Sequence, residues 1–261
     1  MRHLGSLFTL LCLVIFASAK TYRVGPSGNW FDLLHGGGLR PGDEVVLEAG
    51  TYTNGRKLEL SHVGAKGNPI VISAAENARV VFQRPDARQN TLNLAGTQHL
   101  IVKGLEITGG STGIRIYKLG DRMAKFVTLD SLHIHHVGGP AITCNHQGNL
   151  YEGMIFRRNR IHHTGGHGEA FYLGANSGPN GKTQAQFFRG IIEGNHLHDL
   201  TGPKVSQGDG IELKDGSWGN LVRHNVIHDV KYPGIIVYDA DGKEPNVIEG
   251  NLIFNGSDNG I

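Results

Sequence analysis

The segment Asp209-Gly210-Ile211-Glu212-Leu213-Lys214 carries two carboxylates and an amine on one short run of alternating character. In extended backbone successive side chains point to opposite faces, so Glu212 and Lys214 share the face turned away from Ile211 and Leu213. An amine acts as a general base only where burial or nearby cations depress its pKa. Asp209 and Glu212 pull the other way unless a metal ion neutralises them. Lys214 as a base therefore implies a cation, with Asp209 and Glu212 as its candidate ligands. The alternative is a surface ion pair across alternate positions.

Four further segments share this alternation: 113–117, 141–145, 170–174 and 234–238. Their second and fourth places are apolar and should face a core. Their third and fifth places hold Arg115, Tyr117, Thr143, Asn145, Tyr172 and Tyr238. Aromatic rings stack on sugar faces and cations meet carboxylates. Arg115, Tyr117, Asn145, Tyr172 and Tyr238 are thus candidate contacts for an acidic polysaccharide lying along the wall.

What aligns these segments is a second repeat. Asn159-Arg160-Ile161-His162, Asn195-His196-Leu197-His198, Asn225-Val226-Ile227-His228 and Asn251-Leu252-Ile253-Phe254 repeat one pattern, and Leu132-His133-Ile134-His135 keeps its tail. Counted from Ile107 through Ile253, the aliphatic positions recur at intervals of 27, 27, 36, 30 and 26 residues. Such a period marks stacked units that bury their apolar faces only against one another. No helical period is present between the segments, so each unit reads as one coil of a parallel β-solenoid. The Asn column should form a hydrogen-bonded stack at a turn. His135, His162, His198 and His228 should stack as partly exposed turn residues, about 4.8 Å apart, a spacing unsuited to converging on one ion.

Arg2 and His3 before an apolar run, then Ala17-Ser18-Ala19, read as a leader over residues 1–19, which predicts a secreted or periplasmic protein. That run is too short to span a bilayer as a helix. Residues 20–261 read as a single domain, opened by an amphipathic helical turn at Trp30-Phe31-Asp32-Leu33-Leu34 that caps the first coil and cut mid-coil at Ile261. Cys144 lacks an intrachain partner once the leader is removed. With 25 basic and 23 acidic residues, the charge balance points to neither nucleic acid nor anionic lipid. The 39 glycines punctuate apolar triplets and read as turns.

These features together resemble the right-handed parallel β-helix proteins of the pectin-lyase-like superfamily. The segment from Gly42 to Tyr52, followed by Gly67-Asn68-Pro69-Ile70-Val71-Ile72, is similar to the opening of alginate lyases and chondroitinase-B-type lyases. The 209–214 segment is similar to the acidic-then-Lys strand of calcium-dependent lyases of the chondroitinase-B and pectate types. That resemblance implies a right-handed all-β solenoid and a monomeric lyase that cleaves an acidic glycan by β-elimination. It also implies Lys214, Glu212 and Asp209 as catalytic residues, and Ca2+ on Asp209 and Glu212. The chain departs from the pattern at Gln207, where a first acidic ligand would stand, and at Ile235, where an Arg would stand. Two other functions fit the same wall: a glycoside hydrolase pairing Glu212 with Asp239 or Glu169, and a non-catalytic glycan-binding or scaffold domain.

Overall fold

The computed structural model describes residues 18–178, 180 and 184–261. Most of the expected leader, residues 1–17, lies outside the described residues. Three parallel sheets run the length of the molecule, with nine, seven and eight strands among the described residues. Each interior coil contributes one strand to each sheet, and about nine coils stack into the solenoid. Every strand pair between coils is parallel, so each coil's backbone is hydrogen-bonded to the coils on either side.

The expected columns hold. In the second sheet Ile114, Ile142, Phe171, Ile211 and Ile235 align and are fully buried. Arg115, Thr143, Tyr172, Glu212 and Ile236 align on the opposite face. The core is one continuous apolar cluster, within which Phe156 stacks on Phe171 at 5.6 Å. Helix Trp30–Leu34 forms as expected. It sets the Trp30 indole edge-on against Tyr52 at 5.3 Å and Phe82 at 5.7 Å. Cys144 is buried within this core.

The Asn column forms a ladder at the bend between the first and third sheets. Asn159 Nδ2 donates to Asn195 Oδ1 at 2.9 Å, Asn195 to Asn225 at 2.9 Å and Asn225 to Asn251 at 2.9 Å. Each Asn follows a residue in the left-handed region: Arg158 (φ 55°), Gly194 (62°), His224 (55°) or Gly250 (62°). Asn220 and Asn246 begin a second ladder at another bend.

Two expectations need correction. The His column stacks, with ring centroids 5.2, 4.8 and 5.3 Å apart from His135 to His228. It lies in strands of the third sheet, however, and not in a turn. The bend comes one residue later, at His136, His163, Asp199 and Asp229, all with φ near +50°. The second correction concerns Glu212 and Lys214. They point away from the core but are not a surface pair: their relative exposures are 1% and 4%. Flanking rings cover the ammonium, Tyr172 at 5.0 Å and Tyr238 at 4.5 Å.

Candidate active site

Glu212 leaves the middle of strand Ile211–Leu213, and Lys214 follows that strand's end. Asp209 sits just before it, after Gly208, whose φ of +80° turns the chain inward. A Cβ on Gly208 would lie 2.3 Å from the Leu200 carbonyl, so only glycine fits. One coil below, Gly168 (φ +89°) precedes Glu169 in the same way. Ala170 N donates to the Asp209 carbonyl at 2.9 Å, which places Glu169 level with Asp209.

Glu169, Asp209 and Glu212 therefore converge, each with a carboxylate oxygen within 4.8 Å of the others'. All three are buried. Both oxygens of Glu169, both of Asp209 and Oε2 of Glu212 are buried without a hydrogen-bond partner. Such orphaned acceptors are costly, and clustered charges more so. Burial, then the charges of Glu212 and Glu169, push the Asp209 carboxyl up to about 7. Burial raises Glu169 as well, reinforced by Glu212.

Lys214 Nζ donates to Glu212 Oε1 at 2.5 Å and lies 3.3 Å from the Tyr238 hydroxyl. Burial pulls its pKa down, but the Glu212 hydrogen bond and charge outweigh it, so the ammonium is held well above its ordinary range. Burial raises the Tyr172 phenol. Lys214, Glu169, Tyr172 and Asn145 line a cavity of about 260 Å³ together with His167 and Gln207. His167 Nδ1 stands 4.0 Å from Glu169 and 3.0 Å from Gln207 Oε1.

The nominated residues thus divide. Lys214, Glu212, Asp209, Tyr172, Asn145 and Tyr238 come together. Arg115 and Tyr117 line a separate cavity of about 630 Å³ lower on the same sheet, with Lys57, Arg88 and His146. There the Tyr117 hydroxyl is bonded to Glu59 and Lys57. Asp239 is exposed and its Oδ1 accepts from Asp241 N at 2.8 Å. The residue underrated from sequence is Glu169, read there only as one half of a hydrolytic pair. Its signal was Gly168-Glu169-Ala170 set against Gly208-Asp209-Gly210.

The right-handed β-helix model matches residues 90–261, about two thirds of the chain. The chain belongs to the right-handed β-helix family. A chondroitinase B model matches residues 37–128. Among solved structures, this β-helix is similar to an alginate lyase from Paenibacillus sp. str. FPU-7, with 23% identity and a TM-score of 0.66 over 91% of this chain and 75% of that one. It is similar to the pectate lyase Pel9A at 14% identity and TM-score 0.56, covering 92% and 78%. A mannuronic acid specific family 6 lyase from human gut microbiota matches at 20% identity and TM-score 0.57. That match covers 91% of this β-helix but 55% of the lyase. No curated protein matches the chain. At these identities the solved structures establish the shared fold. Among the described residues, no helix is long and apolar enough to cross a membrane.

Proposed function

We propose that the protein is an exported polysaccharide lyase that cleaves an acidic, uronate-containing glycan by β-elimination. In this reading Glu169, Asp209 and Glu212 hold Ca2+. The observation that carries the reading is the set of five buried, unpartnered carboxylate oxygens beside a buried lysine. Hard divalent cations take six to eight oxygen ligands, and a clustered carboxylate set of this kind supplies several of them. Bound there, the ion would offset the carboxylate charge and stabilise negative charge developing on the substrate. The similarity to an alginate lyase and a pectate lyase supports an acidic glycan as the substrate class.

The remaining steps belong to the chain's own side chains. Once Glu212 is engaged elsewhere, Lys214 loses the interaction that most raises its pKa, and the surrounding burial then favours the neutral amine. Lys214 Nζ takes the C5 proton of the uronate as the C4=C5 double bond forms and the C4–O bond breaks. Tyr172, kept protonated by burial, donates to the departing oxygen. Arg115 and Lys57, in the lower cavity, bind carboxylates of neighbouring sugar units.

Incubation with alginate, pectate and chondroitin, with and without calcium, tests the reading by the absorbance of the unsaturated product. Absence of that signal on all three would overturn it. New reducing ends without unsaturation would mark a hydrolase working through Glu169 and Glu212.

The calcium site predicts a pH-dependent stabilisation. Without calcium, Asp209 is protonated more readily in the folded chain than in the unfolded one, because its folded pKa is the higher. Its contribution to stability is therefore fully present below about pH 4 and is lost as pH rises through about 7. A rise from 3.8 to about 7 corresponds to about 4 kcal/mol. Calcium binding relieves this penalty, so the gain in Tm on adding calcium should grow from about pH 5 to about pH 8, reaching roughly 10 °C. Thermal melts at several pH values with calcium or a chelator measure it. A calcium effect that is absent or flat across that range would count against the site.

A further inference from the structure

The outer face of the third sheet carries a second cluster of different chemistry. His133 and His135 stand two residues apart on one strand, on either side of inward-facing Ile134, and so project to the same face. The parallel register places Glu106 directly below His133. A nitrogen from each histidine and an oxygen of Glu106 lie within 4.8 Å of one another. His135 Nε2 is 3.2 Å from Glu106 Oε1, and both side chains are largely shielded, at 16% and 12% exposure. His133 Nε2 lies 2.8 Å from His162 Nε2 on the next coil.

We propose that Glu106, His133 and His135 bind a divalent transition-metal cation of the zinc class, with His162 Nε2 beside the remaining position. Stacking within one His column cannot converge ligands, because a full coil separates the rings. The convergence arises across columns, where alternate residues of one strand meet the carboxylate of the coil below. Two imidazoles and one carboxylate are ligands for zinc, nickel or copper, unlike the all-oxygen set of Glu169, Asp209 and Glu212. Arg79 now chelates Glu106 at 2.8 and 2.7 Å, but it is 77% exposed and moves aside at little cost.

The ladder also contains its own control. Two coils higher, His196 Nε2 meets His228 Nε2 at 2.8 Å, repeating the His133–His162 contact. There the residue directly below His196 is Arg160, where His133 has Glu106. A fixed cation in place of the carboxylate disfavours a metal, so only the lower cluster should bind.

Calorimetric titration of the tag-free protein with Zn2+, in excess calcium to occupy the oxygen site, tests this. Cobalt substitution adds the visible spectrum of a tetrahedral nitrogen-oxygen site. One equivalent should bind. His133→Ala and His135→Ala should each weaken binding on the order of 100-fold, His196→Ala should leave it unchanged, and Arg79→Ala should tighten it. Circular dichroism melts confirm that each variant is folded, and His135→Gln serves if His135→Ala is not. No uptake by the native protein overturns the proposal. So does uptake that survives in the His133→Ala/His135→Ala double variant, or that is lost equally in His196→Ala.

Discussion

Replacing Lys214 by arginine should lower kcat on the order of 1000-fold while leaving the fold and calcium affinity close to native. The size follows from the role. A positioned general base contributes typically 10²–10⁴-fold, and guanidinium, with a pKa above 12, cannot take a proton near neutral pH. Arginine still places a buried cation against Glu212, so it preserves the ion pair that Lys214 makes. Lys214→Ala removes the base too, but it strands Glu212 in a site where that carboxylate is 1% exposed. Breaking a buried pair in this way costs about 3–5 kcal/mol. In calcium-free buffer the alanine variant should therefore melt well below the arginine variant. Calcium should close much of that gap, because the stranded carboxylate is one of the proposed ligands. Initial rates on whichever uronate polymer gives the native signal, with melts in calcium and chelator, separate the two effects. Retention of more than about a tenth of native kcat in Lys214→Arg would remove Lys214 from the proton transfer.

The columns were legible because a solenoid converts sequence period directly into contact. Ile114, Ile142, Phe171 and Ile211 occupy one line since each coil re-enters the second sheet in the same register. The Asn ladder was legible for the same reason: a repeated amide at a bend has the next amide as its nearest partner. The site itself was half legible. Asp209, Glu212 and Lys214 stand within one alternating segment, so their proximity is local. Glu169 belongs to the coil below, and the 40 residues that separate it from Asp209, more than any interval of the aliphatic column, hide their alignment. The strands Leu150–Glu152 and Gln186–Phe188 pair with each other outside the three main sheets, and the coil that carries the second of them is the long one. Burial of Glu212 and Lys214 was not legible, because the cover comes from the Tyr172 and Tyr238 rings above and below, and rotamers carry no period. The separation of Arg115 and Tyr117 from the carboxylates is likewise a matter of height along the solenoid, since Arg115 stands three strands from Glu212.

Asn195→Ala should destabilise the protein by about 4 kcal/mol. The Asn195 side chain makes four buried hydrogen bonds. Its Oδ1 accepts from Asn159 N at 3.0 Å and Asn159 Nδ2 at 2.9 Å. Its Nδ2 donates to the Phe156 carbonyl at 3.0 Å and to Asn225 Oδ1 at 2.9 Å. Truncation leaves the Asn159 backbone N–H with no acceptor in a buried bend, and each buried group left unmade costs about 1–3 kcal/mol. The void left by the missing amide adds to this. Asn251 is half-buried and makes three such bonds, two accepted from Asn225 and one given to the Val222 carbonyl, so Asn251→Ala should cost less, about 2 kcal/mol. Asn195→Asp is the sharper test of geometry. It keeps the acceptor but turns an oxygen toward the Phe156 carbonyl and Asn225 Oδ1, so it should be at least as damaging as alanine. Urea denaturation of the three variants measures the order, and equal small losses for Asn195 and Asn251 would show that the ladder adds little. The consequence reaches the site, because Asn195 lies in the stretch of chain that carries Glu169 up one coil to Asp209. A coil free to slip at that bend no longer holds the two carboxylates level, so the folded fraction of Asn195→Ala should also bind calcium more weakly than the native protein.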